Sequence, residues 1–110
     1  MTDKPQMKRY SITFPTKRVN GALLFKPHRK QQLEKAVTEL TKLAGGTTQY
    51  EAKGSYRHTN GDVMMEDVTV LEIYSDRSIR PQLLVIADRI KMELEQETIF
   101  ITSNGKGELV

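Results

Sequence analysis

A histidine and two carboxylates lie close together in the middle of the sequence, at His58, Glu66 and Asp67. An imidazole beside a carboxylate can act as a general acid or base near neutral pH. If a pocket forms between subunits around His58, these groups predict a small enzyme. A single histidine near the tip of a hairpin is also typical of a surface residue without a chemical role, so no catalytic residue is assigned.

The same region carries aromatic and apolar side chains that a two-stranded ribbon cannot bury by itself. An isolated ribbon is marginally stable in water, so such side chains need another surface to pack on. We expect them to contact another subunit or to close over a ligand; packing back onto the protein's own body is the alternative. The hairpin candidates for ligand or partner binding are Tyr56, Arg57, His58, Met65 and Glu66.

Positive charge is concentrated in the N-terminal part of the chain. Residues 1–46 hold ten lysines and arginines against three acids, whereas residues 47–110 hold seven against eleven. Cations near a helix start favour anions, so a small anionic ligand or nucleic acid is a candidate partner, with a solvated basic face as the alternative. No glycine-rich phosphate loop accompanies these cations. The candidate contacts are Lys17, Arg18, Lys26, Arg29 and Lys30.

The sequence offers little for metal or redox chemistry. Cysteine is absent, which excludes disulfides, thiolate nucleophiles and iron–sulfur clusters. The acids Glu66, Asp67 and Glu72 alternate across the two faces of a strand, whereas a metal site needs ligands that converge. We therefore predict neither a metal nor another cofactor. The polar N-terminus and the short apolar runs predict a cytoplasmic protein without a membrane span.

These residues must be positioned by four predicted strands and two helices. Tyr10, Ile12 and Phe14 alternate with polar residues, which predicts a strand ending at Pro15. Pro27 opens a helix over residues 28–44, which Gly45-Gly46 ends. Pro81 opens a second helix that ends near Gln96, and residues 98–102 form a last short strand.

Between the helices, residues 47–58 and 63–74 predict two long strands joined at Asn60-Gly61. This dipeptide suits a two-residue type I′ turn. Such a turn would place Tyr50 and Ala52 beside Leu71, on the side facing the helices. A slip of one residue would reverse the faces. Because the neighbouring strands are shorter, we expect the hairpin to overhang the body, with Val68 and Val70 facing away from the helices.

The order β-α-β-β-α-β predicts an α+β, ferredoxin-like two-layer sandwich with a long β2-β3 hairpin. We expect residues 1–110 to form a single domain, with flexible tails at residues 1–7 and 103–110.

The hairpin also resembles a family of small uncharacterised bacterial proteins. The shared pattern is Gly54-Ser55-Tyr56-Arg57, the turn Asn60-Gly61, and Glu66 on the returning strand. The resemblance extends loosely over residues 10–101 and implies the same fold, with the hairpin as its distinctive element; it implies no activity. The architecture is also similar to that of trimeric nitrogen-regulatory signal proteins.

Three functions follow from these observations. The leading one is a non-enzymatic homo-oligomer, a dimer or trimer, whose hairpin contacts a partner subunit or a ligand. The alternatives are a nucleic-acid or phosphate-ligand binder and a small enzyme with an inter-subunit pocket around His58.

Overall fold

The computed structural model describes residues 6–17, 22–57 and 60–110. Within them, an antiparallel sheet and two helices are formed. The elements are β1 Lys8–Phe14, α1 Lys26–Ala44, β2 Thr48–Arg57, β3 Val63–Ser75, α2 Arg80–Glu93, β4 Phe100–Ser103 and β5 Lys106–Leu109. The predicted α+β class and the β-α-β-β-α-β order are confirmed, and one further strand follows.

The strands lie in the order β2-β3-β1-β4-β5, so β1 and β3 are central. Alternate residues of these two strands, among them Ile12, Leu71 and Ile73, form the core with the apolar stripes of both helices. We call the opposite surface of the sheet the open face. By strand register it carries Arg9, Ser11, Thr13, Tyr50, Ala52, Gly54, Tyr56, Met64, Glu66, Val68, Val70, Glu72, Tyr74, Phe100, Thr102, Gly107 and Leu109.

Local sequence sets the ends of α1. Pro27 lies in its first turn, where a missing N–H costs no helical hydrogen bond. Gly45 ends the helix with φ 91°, a left-handed conformation that glycine adopts without strain. Of the apolar residues before the helix, Leu24 is buried, whereas Leu23 and Phe25 are exposed.

The predicted hairpin exists, but its register differs by one residue. Tyr50 pairs with Val70 and Ala52 with Val68, so the two β2 side chains lie on the open face and not against the helices. The reason is the turn: the last pair is Arg57 with Val63, which leaves five residues between the strands. An odd change in loop length reverses the faces of one strand relative to the other.

The predicted C-terminal tail at residues 103–110 is also corrected, because β4 and β5 form a second hairpin there. Asn104 and Gly105 have φ of 52° and 85°, the two positive values of a type I′ turn. Ser103 pairs directly with Lys106 across it. Gly107 lies under the ring of Phe100, where a Cβ would come within 2.8 Å of Cζ. Of the other predicted tail, residues 1–5 lie outside the described residues.

The β2-β3 hairpin extends beyond the body of the protein. Pairing between β1 and β3 stops at Phe14 and Thr69, so within the described residues no strand pairs with residues 63–68 on that side. The longest dimension is 56 Å and the radius of gyration 14.8 Å, above the value of about 13 Å expected for a compact chain of this length. No helix in the described part of the chain is long and apolar enough to cross a membrane.

Candidate ligand site at the base of the hairpin

The register divides the predicted hairpin residues between two surfaces. Tyr56 lies opposite Met64 on the open face, on the same side as Glu66. Arg57 and Met65 point to the other side, toward the helix layer. Tyr56 and Glu66 can therefore contact one ligand, whereas Arg57 and Met65 cannot join them there. His58 lies outside the described residues.

Glu66 is held in place by the segment that follows β1. Its Oε2 accepts the backbone N–H groups of Thr16, at 3.3 Å, and Lys17, at 3.2 Å. The Thr16 hydroxyl donates to the Asp67 carbonyl at 2.7 Å, and Lys17 Nζ to the Met65 carbonyl at 3.2 Å. The second carboxylate oxygen, Oε1, accepts no hydrogen bond from residues 6–17, 22–57 or 60–110. One oxygen thus fixes the side chain on the segment after β1.

A gap in the side chains of the open face lies across the strand pair from the Glu66 backbone. Gly54 is the residue directly opposite Glu66. A Cβ on Gly54 would meet only atoms of the neighbouring strand, with Val68 Cγ1 at 3.4 Å and the Glu66 carbonyl oxygen at 4.0 Å. Tyr56, two residues along β2, is 46% exposed. We call the space over Gly54, between Tyr56 and Glu66, the hairpin slot.

The hairpin slot suits a ligand with a flat ring and a cationic or hydrogen-bond-donating group. An aromatic face binds a ring or a cation, and a carboxylate oxygen accepts charge-assisted hydrogen bonds. Small-molecule sites bury most of the ligand surface, whereas Tyr56 at the hairpin slot is 46% exposed. A second surface must close it.

Comparisons with known proteins give likenesses of structure. No protein-family model and no curated protein matches the sequence. A phage SAM lyase in complex with S-methyl-5′-thioadenosine has a TM-score of 0.67 at 11% identity, covering 100% of this chain and 95% of that chain. The structure of a phage SAM lyase in the apo state has a TM-score of 0.56 at 10% identity, and the match covers 100% of this chain and 94% of that chain. The divalent cation tolerance protein Cut A1 from Thermus thermophilus has a TM-score of 0.55 at 15% identity, and the match covers 89% of this chain and 82% of that chain.

The chain has a ferredoxin-like fold. The identities of 10–15% carry the comparison no further than the fold. The function must therefore be argued from the side chains of this chain.

The predicted basic contacts differ in their surroundings. Arg29 donates Nε to the Pro15 carbonyl at 2.6 Å, and Lys17 donates to a backbone carbonyl, so both serve internal bonds. Lys30 lies 3.9 Å from Glu34, and Lys26 is exposed. Arg18 lies outside the described residues. Lys17 and Arg29 thus also make bonds within the fold, whereas Lys26, the first residue of α1, is exposed at the helix start. Contact of these cations with a phosphate or nucleic acid stays a prediction.

A polar cluster on the open face was not predicted from the sequence. Glu72 accepts hydrogen bonds from Arg9 at 2.5 Å, from Tyr74 at 3.1 Å and from Tyr50 at 3.5 Å. Pairing of Arg9 with Tyr74 across β1 and β3, and of Tyr50 with Val70 across β2 and β3, brings these side chains together around Glu72. The alternation of Glu72 with Tyr74 was a usable signal that they share a face.

The hydrogen bond from Arg9 is the main cause of a lowered pKa of Glu72, and the same carboxylate raises the pKa of the Tyr74 hydroxyl. A carboxyl whose folded pKa is depressed contributes stability above its unfolded pKa and loses it as the pH falls through the folded value. The contribution of Glu72 to the free energy of unfolding is therefore complete above pH 4.5, the ordinary pKa of the group. It is lost as the pH falls below 4.5 through the lower pKa of the folded state.

We expect a carboxyl-carbon NMR titration to place the Glu72 midpoint below 4.5 and to move it upward in Arg9→Gln. Arg80→Gln is the matched control, since Arg80 pairs with Glu108 at the β5 edge. A Glu72 midpoint that is the same in Arg9→Gln and in the wild type would contradict the assigned cause.

Among the described residues, no group of three histidine, aspartate or glutamate side chains lies close enough to hold a metal ion. His28, at the start of α1, lies with Nε2 3.0 Å from the Glu93 carbonyl oxygen and 3.4 Å from its carboxylate. This histidine therefore links the two helices.

Proposed function

We propose that this protein is a homo-oligomeric ligand-binding module in which a second copy covers the open face and closes the hairpin slot over an adenosine thioether or sulfonium. The observation that carries the proposal is Glu66, held through one oxygen by two backbone N–H groups on the same face of the hairpin as Gly54 and Tyr56. The hairpin residues Tyr56 and Glu66 bind the ligand.

The chemistry of the slot supports this ligand class. Adenine is a flat ring that stacks on tyrosine, and ribose hydroxyls or a sulfonium are suitable partners for a carboxylate. The solved structure of a phage SAM lyase that covers the whole chain contains S-methyl-5′-thioadenosine. That molecule unites an adenine ring, a ribose and a thioether, so it is the natural first probe.

The composition of the open face supports the assembly. Tyr50 and Tyr56 are 40% and 46% exposed, and Val70 beside them is half-buried. An extended sheet surface with apolar and aromatic residues is typical of a subunit interface. The ion pair between Arg9 and Glu72, which lies on this surface, is complete within the chain. Its charges would therefore not remain unpaired when covered.

The test is calorimetric titration with S-methyl-5′-thioadenosine and S-adenosylmethionine, together with light scattering after size exclusion. We expect a particle of more than one chain and saturable binding of at least one of the two compounds, with adenosine binding more weakly. A monomer at high concentration, or the absence of heat with both compounds at millimolar concentration, would contradict the proposal.

A second candidate is cleavage of S-adenosylmethionine. It is favoured because both structures of a phage SAM lyase, in complex with S-methyl-5′-thioadenosine and in the apo state, cover this chain from end to end. If the carboxylate of the substrate's amino-acid chain attacks the γ-carbon, a C–O bond forms as the C–S bond breaks and the electron pair stays on sulfur. The products are S-methyl-5′-thioadenosine and a lactone, so the departing thioether needs no proton from the protein. Chromatographic detection of S-methyl-5′-thioadenosine after incubation with S-adenosylmethionine tests it. Recovery of bound S-adenosylmethionine unchanged would contradict cleavage and would support binding only.

A further inference from the structure

A single peptide unit connects α1 to the hairpin slot. The Pro15 carbonyl accepts Nε of Arg29 at 2.6 Å, and the Thr16 N–H donates to Glu66 Oε2 at 3.3 Å. These are the two ends of the same peptide group, because the carbonyl of Pro15 and the N–H of Thr16 share one amide. In a trans peptide the two groups point in opposite directions. Arg29 and Glu66 therefore lie on opposite sides of this unit.

Arg29 is itself fixed by several partners. Its Nη2 donates to the Thr69 hydroxyl at 2.9 Å and to the Phe14 carbonyl at 3.4 Å. Thr69 is fully buried, and its hydroxyl donates to the carboxylate of Glu51 at 2.9 Å. Burial lowers the pKa of the Arg29 guanidinium, and Glu51 and Glu66 oppose that shift. The guanidinium stays charged nonetheless.

We infer that Arg29 is a positioning residue for Glu66, acting through the peptide unit between Pro15 and Thr16. A cation at the carbonyl polarises the amide and strengthens its N–H as a donor, since hydrogen bonds in a chain reinforce one another. It also fixes the plane of the peptide, so the Thr16 N–H points at the carboxylate. The relevance to ligand binding rests on the proposed function of the hairpin slot.

The experiment compares Arg29→Met and Arg29→Lys with Arg89→Lys. Arg89 is a matched control because it is a partly buried arginine on α2 that bonds to a carboxylate, Glu39, at 2.7 Å. Amide hydrogen exchange at Thr16 and Lys17 is measured in each folded variant, together with the affinity for S-methyl-5′-thioadenosine and the melting temperature.

In Arg29→Met we expect about tenfold faster exchange at Thr16 and about tenfold weaker binding, the scale of one lost charge-assisted hydrogen bond. Arg29→Lys should recover part of both effects, because an ammonium can reach the Pro15 carbonyl but cannot also bond to Thr69. Arg89→Lys should lower the melting temperature without changing the exchange rate at Thr16 or the affinity for S-methyl-5′-thioadenosine.

Wild-type exchange rates at Thr16 and Lys17 in both Arg29 variants would overturn the inference. Equal losses of binding in Arg29→Met and Arg89→Lys would also overturn it, since they would reflect stability alone. If the wild-type protein does not bind the probe, the proposed function fails, while the exchange comparison still decides whether Arg29 orders the segment that holds Glu66.

Discussion

Replacing Val70 by lysine is expected to convert the proposed assembly into folded monomers. Val70 lies on the open face, paired with Tyr50 on one side and Thr13 on the other, and is half-buried. An ammonium placed there would be covered without a partner in the assembly, which costs several kcal/mol. In the monomer the same group is hydrated, so the fold should persist. We expect the dissociation constant of the assembly to rise by about a hundredfold or more.

Sedimentation velocity over a range of concentrations measures this change. Val85→Lys is the matched control, because Val85 is a 69% exposed valine on the outer side of α2, away from the open face. Its assembly should equal that of the wild type. An unchanged mass in Val70→Lys would exclude the open face as the interface, and a loss of assembly in Val85→Lys would point to the helix layer instead.

Replacing Glu66 by glutamine is expected to abolish most ligand binding while leaving the fold intact. The amide oxygen of glutamine can still accept the N–H groups of Thr16 and Lys17, so the segment after β1 stays attached. The other position becomes an NH₂ group, which cannot accept a hydrogen bond and carries no negative charge. Losing a charge-assisted bond of roughly 1.5–3 kcal/mol lowers the affinity by about ten- to a hundredfold.

Titration calorimetry with S-methyl-5′-thioadenosine and a thermal melt measure the two effects separately. Glu108→Gln is the control, since Glu108 is a partly exposed glutamate paired with Arg80 on the far edge of the sheet. It should bind like the wild type. Equal affinity in Glu66→Gln and the wild type would exclude this carboxylate from the site.

Of the two Asn-Gly dipeptides of this chain, one forms the two-residue turn that the dipeptide favours and the other does not. At Asn104-Gly105 both residues have positive φ, and the two-residue turn that the dipeptide favours is formed, although the sequence there was interpreted as a tail. At Asn60-Gly61 only the glycine has positive φ. There the Asn60 side chain accepts the Asp62 N–H at 2.9 Å, which favours a longer loop.

The sequence alone was enough to determine the two helices, strands β1 to β4 and the two layers. Alternation at Tyr10, Ile12 and Phe14, the prolines that open both helices and the glycine that ends α1 are local signals, and each acts within a few residues of itself. The long hairpin and its Asn-Gly corner were predicted on the same basis. Strand β5 was missed because four residues with a glycine among them carry little hydrophobic pattern.

Only the tertiary structure decided which side chains meet at the candidate site. Whether Tyr56 shares a face with Glu66 or with Met65 depends on whether the loop between β2 and β3 has an odd or an even number of residues. Adding or removing one residue there exchanges the two faces of one strand relative to the other. The link from Arg29 through Pro15 and Thr16 to Glu66 joins residues distant in sequence. No local pattern encodes such a contact, because it exists only once α1 and the hairpin have packed on opposite sides of the segment after β1.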